Sequence, residues 1–180
     1  MLGAIIEKVT GLWVGDAFNE FIFKPLNLQH TYAYQNIDNH NPILFYHHDK
    51  KVYAPNYIAS ITAEGGIVST AKECMVFLKA FFNGFFFPVA SLNELKINWR
   101  MIFFPGQFFF GIGLEKLWVP FFLSPFKPIK EIYGFWGQTG AFAFYNPETN
   151  LYFTGTINQV SGLGHGAAFN AIIKTIQVLK

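Results

Sequence analysis

Gly140-Ala141-Phe142-Ala143-Phe144-Tyr145, then Asn146-Pro147-Glu148-Thr149-Asn150, then Leu151-Tyr152-Phe153-Thr154-Gly155-Thr156 is the stretch on which the fold turns. Two short aromatic-rich runs flank a cluster of turn-forming residues, the pattern of an antiparallel hairpin. Moving back along the chain, Ile132 to Trp136 and Gln107 to Leu114 have the same texture, and the second run past the turn continues to Asn158. Moving forward, a helix from about Gly166 sets Ala168, Ile172, Ile176 and Leu179 on one side.

Upstream the texture is helical. Leu2, Ile5, Ile6 and Val9 share a helix face that Gly11 ends, and a second short helix runs from about Asp16 to Ile22. It must stop near Lys24, because Pro25 disfavours helical geometry in the residue before it. Residues 36–60 show no periodicity and are read as a long structured loop. Gly65-Gly66 then precedes a helix with Thr70 and Glu73 as a capping box, Cys74, Phe77, Leu78 and Phe81 as the buried stripe, and Asn83-Gly84 as the stop. Helices, an antiparallel meander and a terminal helix make the fold class α+β.

Composition narrows the function. Of 180 residues, 52% are hydrophobic and 13% charged, against about 25% charged in an ordinary soluble protein, which excludes a disordered chain. Thirteen Lys and Arg against 11 Asp and Glu leave a net charge of +2, too weak for a nucleic-acid partner. Lys79, Pro88, Pro120 and Pro125 interrupt the apolar stretches before any reaches the length of a transmembrane segment. Met1 to Ile6 lacks a basic lead and Glu7 ends its apolar run, so no signal peptide is read and localisation stays open. The single Cys74 is a small core residue. The Phe tracts at 85–87, 103–104 and 108–110 are read as strand and core packing.

Three stretches, in order, resemble one family. Leu2-Gly3-Ala4-Ile5-Ile6-Glu7-Lys8-Val9-Thr10-Gly11 with Phe21-Ile22-Phe23-Lys24-Pro25-Leu26-Asn27-Leu28-Gln29-His30-Thr31 looks like the middle of a β-lactamase-related serine hydrolase. Gly65-Gly66-Ile67-Val68-Ser69-Thr70-Ala71 is similar to that family's next landmark, and Gly137 to Glu148 resembles the strand and hairpin after its third motif. Asn27 stands where the family usually has Gly, a swap that left-handed geometry tolerates. The family comprises class C β-lactamases, D-alanyl-D-alanine carboxypeptidases and related esterases, and is often extracytoplasmic.

The resemblance implies acyl transfer through a serine ester on a β-lactam, D-Ala peptide or ester, with no cofactor and no metal. It also implies that the Ser-x-x-Lys and Tyr-x-Asn motifs of the family would lie before Leu2. The expectation is therefore a single partial domain over 1–180, the C-terminal portion of the β-lactamase/transpeptidase-like fold. Residues 1–100 form its mainly helical part, and 101–180 its antiparallel strands and C-terminal helix. Such a chain is inactive alone, and a separate upstream polypeptide is a possible partner. Its catalytic set here is empty.

The third motif of the family, Lys-Thr-Gly or His-Thr-Gly, falls on Phe135-Trp136-Gly137 with Gln138 next, or in another register on Gln138-Thr139-Gly140. Phe135, Trp136, Gly137, Gln138, Thr139 and Gly140 are thus the candidate substrate-binding residues. In the first register Gly137 and the amide of Gln138 keep a role; the second restores a hydroxyl, lacks the cation and shortens the strand. A non-enzymatic reading makes the Phe135-Trp136 edge an aromatic platform for a peptide or glycan. Ser69-Thr70-Ala71-Lys72 and Tyr34-Gln35-Asn36 match the missing motifs only formally, since both come too late in the order. His47-His48-Asp49 is read as a solvated loop, because adjacent residues point apart, and His165 as a surface or capping residue.

Overall fold

A computed structural model of the chain describes residues 1–102, 108–121, 127–160 and 163–179. In chain order the elements are α1 (Leu2–Thr10), α2 (Val14–Phe18), a π-helical turn (Asn19–Phe23), β1 (Tyr32–Ala33), β2 (Phe45–His47), β3 (Lys50–Val52), α3 (Pro55–Ser60), β4 (Ile67–Val68), α4 (Ala71–Phe82) and α5 (Val89–Glu94). Then come β5 (Arg100–Met101), β6 (Phe108–Phe110), β7 (Glu115–Val119), β8 (Ile129–Trp136), β9 (Ala141–Asn146), β10 (Leu151–Thr156) and α6 (Leu163–Leu179). The last six strands form one antiparallel sheet in sequential order, the expected meander. Gln107 and Phe103-Phe104 lie outside the described residues.

The sheet is apolar on both faces, and a helix covers each. Leu117, Val119, Ile129, Ile132 and Phe144 pack against Ile172 and Ile176 of α6. On the other face Leu114 and Tyr133 meet Leu78 and Phe82 of α4 and Leu92 of α5. This double burial puts Ile132, Tyr133 and Gly134 of β8 side by side in the interior, while Lys130 and Glu131 near its start stay exposed. The hairpin at Asn146 is held by that side chain: its amide donates to the Glu131 carbonyl, and its oxygen accepts from the amide and hydroxyl of Thr149.

Several elements differ from the sequence reading. Residues 36–60 are not one loop but contain the β2–β3 hairpin and α3. The strands are too short to show a period, and His48 supplies the left-handed turn residue between them at φ 56°. The second helix starts at Val14 and widens into the π-helical turn, ending at Phe23 just before Lys24-Pro25. Strand β7 and helix α5 were not anticipated; β7 opens on Glu115 and Lys116, which hide its apolar alternation. The buried face of α4 also differs, and that of α1 is set by a glycine. In α4 the buried residues are Glu73, Leu78 and Phe82, while in α1 the residue packed inward is Gly3, against Ala63. The α1 apolar residues Leu2 and Val9 remain 75% and 80% exposed. In α6 Ala168, Ile172 and Ile176 are buried as read, but Leu179 is exposed. Asn27 has φ 54°, the left-handed geometry expected at a position where the family usually has Gly.

Candidate functional site

Strand β8 ends at Trp136, and residues 137–140 reverse the chain into β9. The reversal is tightly bonded: the Gly137 amide donates to the Ala141 carbonyl at 2.7 Å and the Gly140 amide to the Gly137 carbonyl at 3.0 Å. Gly140 sits at φ 84°, where a side chain would be strained and would also run into Ile157. The six candidate residues therefore divide in two. Phe135 and Trp136 are strand residues, and Gly137, Gln138, Thr139 and Gly140 form the turn.

Alternation along β8 sends the two aromatic rings to opposite faces. Phe135 lies on the side of Tyr133, is 49% exposed, and stacks on Phe110 at 5.9 Å with an interplanar angle of 11°. Trp136 turns towards α6 and packs against Phe144, His165 and Phe142 at 4.8, 5.1 and 5.7 Å. The His165 ring also reaches the Gly137 carbonyl through Nε2 at 3.2 Å, so this residue braces the turn rather than decorating the surface. Opposite, the Tyr57 hydroxyl on α3 donates to Oε1 of Gln138 at 3.2 Å, joining the helical part to the end of the sheet. Neither Tyr57 nor His165 was singled out with the turn in the sequence, because nothing in local spacing links them to residue 138.

Behind the turn lies an unusual carboxylate. Glu115 occurs on the inner face of β7 with Leu117 and Val119, cross-strand from Gly134. Its Oε2 and the indole Nε1 of Trp136 are both buried without a hydrogen-bond partner. Burial pushes the Glu115 carboxyl up to about 7, although the Trp136 backbone amide donates to it and opposes the shift. A second buried carboxylate behaves in the opposite way. Glu73 accepts from the amides of Gln29 and His30 at 2.8 and 2.9 Å and from the Thr31 hydroxyl at 2.6 Å. Burial raises it, but these donors and the His30 imidazole outweigh that and hold it below the usual carboxylate range. The capping box is thus half realised: the Thr70 hydroxyl accepts from the Glu73 amide at 3.2 Å, while the carboxylate pins residues 29–31 instead.

The formal motif matches fall elsewhere. Ser69 Oγ shares a 2.8 Å hydrogen bond with Thr31 Oγ1, and Lys72 is exposed in the first turn of α4. Tyr34 is buried with its hydroxyl donating to the Asn39 carbonyl at 3.1 Å. His47 and His48 are exposed, ring to ring at 4.5 Å. Among the described residues no three His, Cys, Asp or Glu side chains are gathered to hold a metal ion. No helix among them is long and apolar enough to cross a membrane. Burial raises the Cys74 thiol, in keeping with a packing role.

An antiparallel sheet between α6 and the α4–α5 layer, with a braced turn at the end of an inner strand, defines the β-lactamase/transpeptidase-like class, here its C-terminal portion. The chain belongs to the beta-lactamase family, whose model matches residues 1–174. Among solved structures it is similar to the D-amino acid amidase from Ochrobactrum anthropi SV3 complexed with D-phenylalanine, with 25% identity and a TM-score of 0.74 over 98% of this chain and 58% of that one. The D-stereospecific amidohydrolase from Streptomyces sp. shares the fold at 23% identity and a TM-score of 0.71, over 94% of this chain and 51% of that one. EstCE1, a hydrolase with promiscuous acyltransferase activity, does so at 16% identity and a TM-score of 0.66, over 98% and 54%. The chain spans little more than half the length of these proteins. No curated protein matches it.

Proposed function

We propose that residues 1–180 form a single partial domain of a serine hydrolase, supplying the sheet and its end turn to an acyl-transfer site whose serine comes from residues outside these 180. The observation that carries this reading is family membership over residues 1–174 together with a Ser69 hydroxyl engaged by Thr31. A serine in Ser-x-x-Lys would attack the substrate carbonyl and form the acyl ester as the C–O or C–N bond breaks and the alcohol or amine leaves protonated; water would then hydrolyse the ester to the carboxylic acid and regenerate the serine. The Gln138 amide is assigned to the developing oxyanion. The Gly137–Ala141 hydrogen bond, the His165 contact and the Tyr57–Gln138 contact support that role, since they fix the turn before substrate arrives. Phe135 in place of the family's cation removes the partner of a substrate carboxylate. Uncharged esters and amides then suit the site better than carboxylated β-lactams.

On this reading the 180-residue protein alone neither labels with a fluorescent penicillin nor hydrolyses nitrocefin or p-nitrophenyl butyrate. Co-expression with a polypeptide carrying the Ser-x-x-Lys and Tyr-x-Asn motifs restores turnover, with the ester preferred. Covalent labelling of the isolated chain would sink the proposal.

One observation favours a second reading. Phe135 and Phe110 stack almost parallel and are 49% and 43% exposed, a ready aromatic platform for a peptide or glycan without any chemistry. Phe135→Ala should then lower affinity for muropeptide fragments at least tenfold; unchanged binding removes the platform.

A further inference from the structure

One register level of the sheet carries a row of side chains that the acyl-transfer reading does not use. Tyr152, Tyr145, Tyr133, Lys116 and Phe109 are cross-strand partners in succession from β10 to β6, so they share one face of the sheet. It is the face covered by α4 and α5, where Tyr133 is part of the core and Tyr145 and Tyr152 pack against it. The rings of the row choose different neighbours. Tyr133 turns to Trp99, stacked at 5.8 Å with an interplanar angle of 22°. Tyr145 and Tyr152 stack on each other at 4.4 Å and 25°, and Phe82 packs on Tyr145 at 4.8 Å. Among the described residues these are the two tyrosines in ring contact with each other.

A pair of phenols in contact has a chemistry that a lone phenol lacks. A one-electron oxidant converts a tyrosine that can shed its proton into a neutral phenoxyl radical, with unpaired spin on the ring carbons ortho to oxygen. Burial and the neighbouring Tyr145 raise the Tyr152 phenol above its ordinary value, so it starts neutral and loses electron and proton together. Lys79 acts in the same sense: its Nζ lies 5.7 Å from the Tyr152 ring centroid and disfavours a second positive charge there. Both tyrosines are half-buried rather than sealed, which leaves the protons a route to water. Two radicals held in contact couple as one unit, without the cost of a chance encounter.

We propose that Tyr145 and Tyr152 are an oxidative modification site, at which one-electron oxidants join the two side chains as an intramolecular dityrosine. Two electrons pass to two equivalents of oxidant, and the two phenolic protons pass to water. One carbon–carbon bond forms between ortho carbons, and the two ortho hydrogens then move to the oxygens, restoring both phenols. The product has two hydrogens fewer and ties β9 to β10 beside the Asn146↔Leu151 pair that closes the hairpin. This site does not rest on the hydrolase reading, since a chain without turnover would still cross-link.

The test uses the full 180-residue protein at low concentration, oxidised briefly by photogenerated tris(bipyridine)ruthenium(III) with persulfate as the final electron acceptor. Species with the mass of one chain are isolated and cleaved after glutamate. Cuts at Glu131 and Glu148 separate Ile132–Glu148, which holds Tyr133 and Tyr145, from Thr149–Lys180, whose sole tyrosine is Tyr152. Mass spectrometry should find these two peptides joined, at their summed mass less two hydrogens, with fragmentation placing the link at Tyr145. The joined peptide should fall at least tenfold in Tyr145→Phe and in Tyr152→Phe, which keep the ring and lose the phenol, and should persist in Tyr133→Phe. All three variants should keep the wild-type far-ultraviolet circular dichroism spectrum. Absence of the joined peptide, a link placed at Tyr133, or retention in Tyr145→Phe overturns the proposal. So does a link confined to species of twice the chain mass, which would make the coupling a collision between molecules.

Discussion

At the scale of single residues, two buried carboxylates pull stability in opposite directions with pH. Glu73 is held below its unfolded value by the Thr31 hydroxyl and the amides of residues 29 and 30. Its contribution is present above the unfolded pKa of about 4.3 and is lost as pH falls through the lower folded value. Glu73→Gln should cost about 2 kcal/mol at pH 7 in urea unfolding, because charge-assisted hydrogen bonds are lost, and should flatten the acid side of the stability curve. An unchanged midpoint at pH 7 would contradict the clamp. Glu115 has a folded value raised to about 7, so its contribution is complete below about pH 4.3 and disappears as pH rises through 7. Glu115→Gln should therefore be more stable than the wild type at pH 8, by about 1–2 kcal/mol after allowing for solvent screening, and indistinguishable at pH 4.5. A variant equally destabilised at both pH values would show that the carboxylate is satisfied after all. Spacing revealed Glu73 as a capping residue but not its engagement with residues 29–31, which depends on where α4 docks. Glu115 had no local signal, because a carboxylate becomes costly only once a fold buries it.

At the scale of elements, the sheet rests on the passage of β8 between β7 and β9. Gly134 lies where a Cβ would fall inside the Ala143 carbonyl oxygen and against the Phe144 ring. Gly134→Ala should destabilise by more than about 4 kcal/mol, the range reserved for backbone clashes and overpacking, and should yield insoluble protein on expression. A soluble variant with a near-wild-type melting temperature would mean that β8 shifts freely. The hairpin from Ala141 to Thr156 was legible because its turn residues and its aromatic runs agree, and the helix over 163–179 because its period is long enough to read. The β2–β3 hairpin and α3 were not, since three-residue strands carry no measurable alternation. Helix α1 was legible as a helix with a shared apolar face, but its inward side was not: close approach at Gly3, rather than apolar area, decides its docking.

At the scale of the whole molecule, apolar side chains are exposed at Leu2, Ile5 and Val9 of α1 and at Phe21. Such patches predict poor solubility and strong binding of 8-anilinonaphthalene-1-sulfonate. Leu2→Lys combined with Val9→Glu should raise soluble yield and reduce dye fluorescence while changing stability by less than about 0.5 kcal/mol, as expected for exposed positions. A large loss of stability would show that these side chains pack after all. The sequence by itself determined the α+β class, the sequential antiparallel meander, the terminal helix and the family, because turn chemistry, hydrophobic period and ordered motifs are local or linear properties. Only the tertiary structure decided that Tyr57 and His165 brace the 137–140 turn, and that Glu115 and Glu73 become buried carboxylates of opposite behaviour. Those outcomes depend on which distant surfaces meet, and burial and hydrogen bonding exist only after they have met.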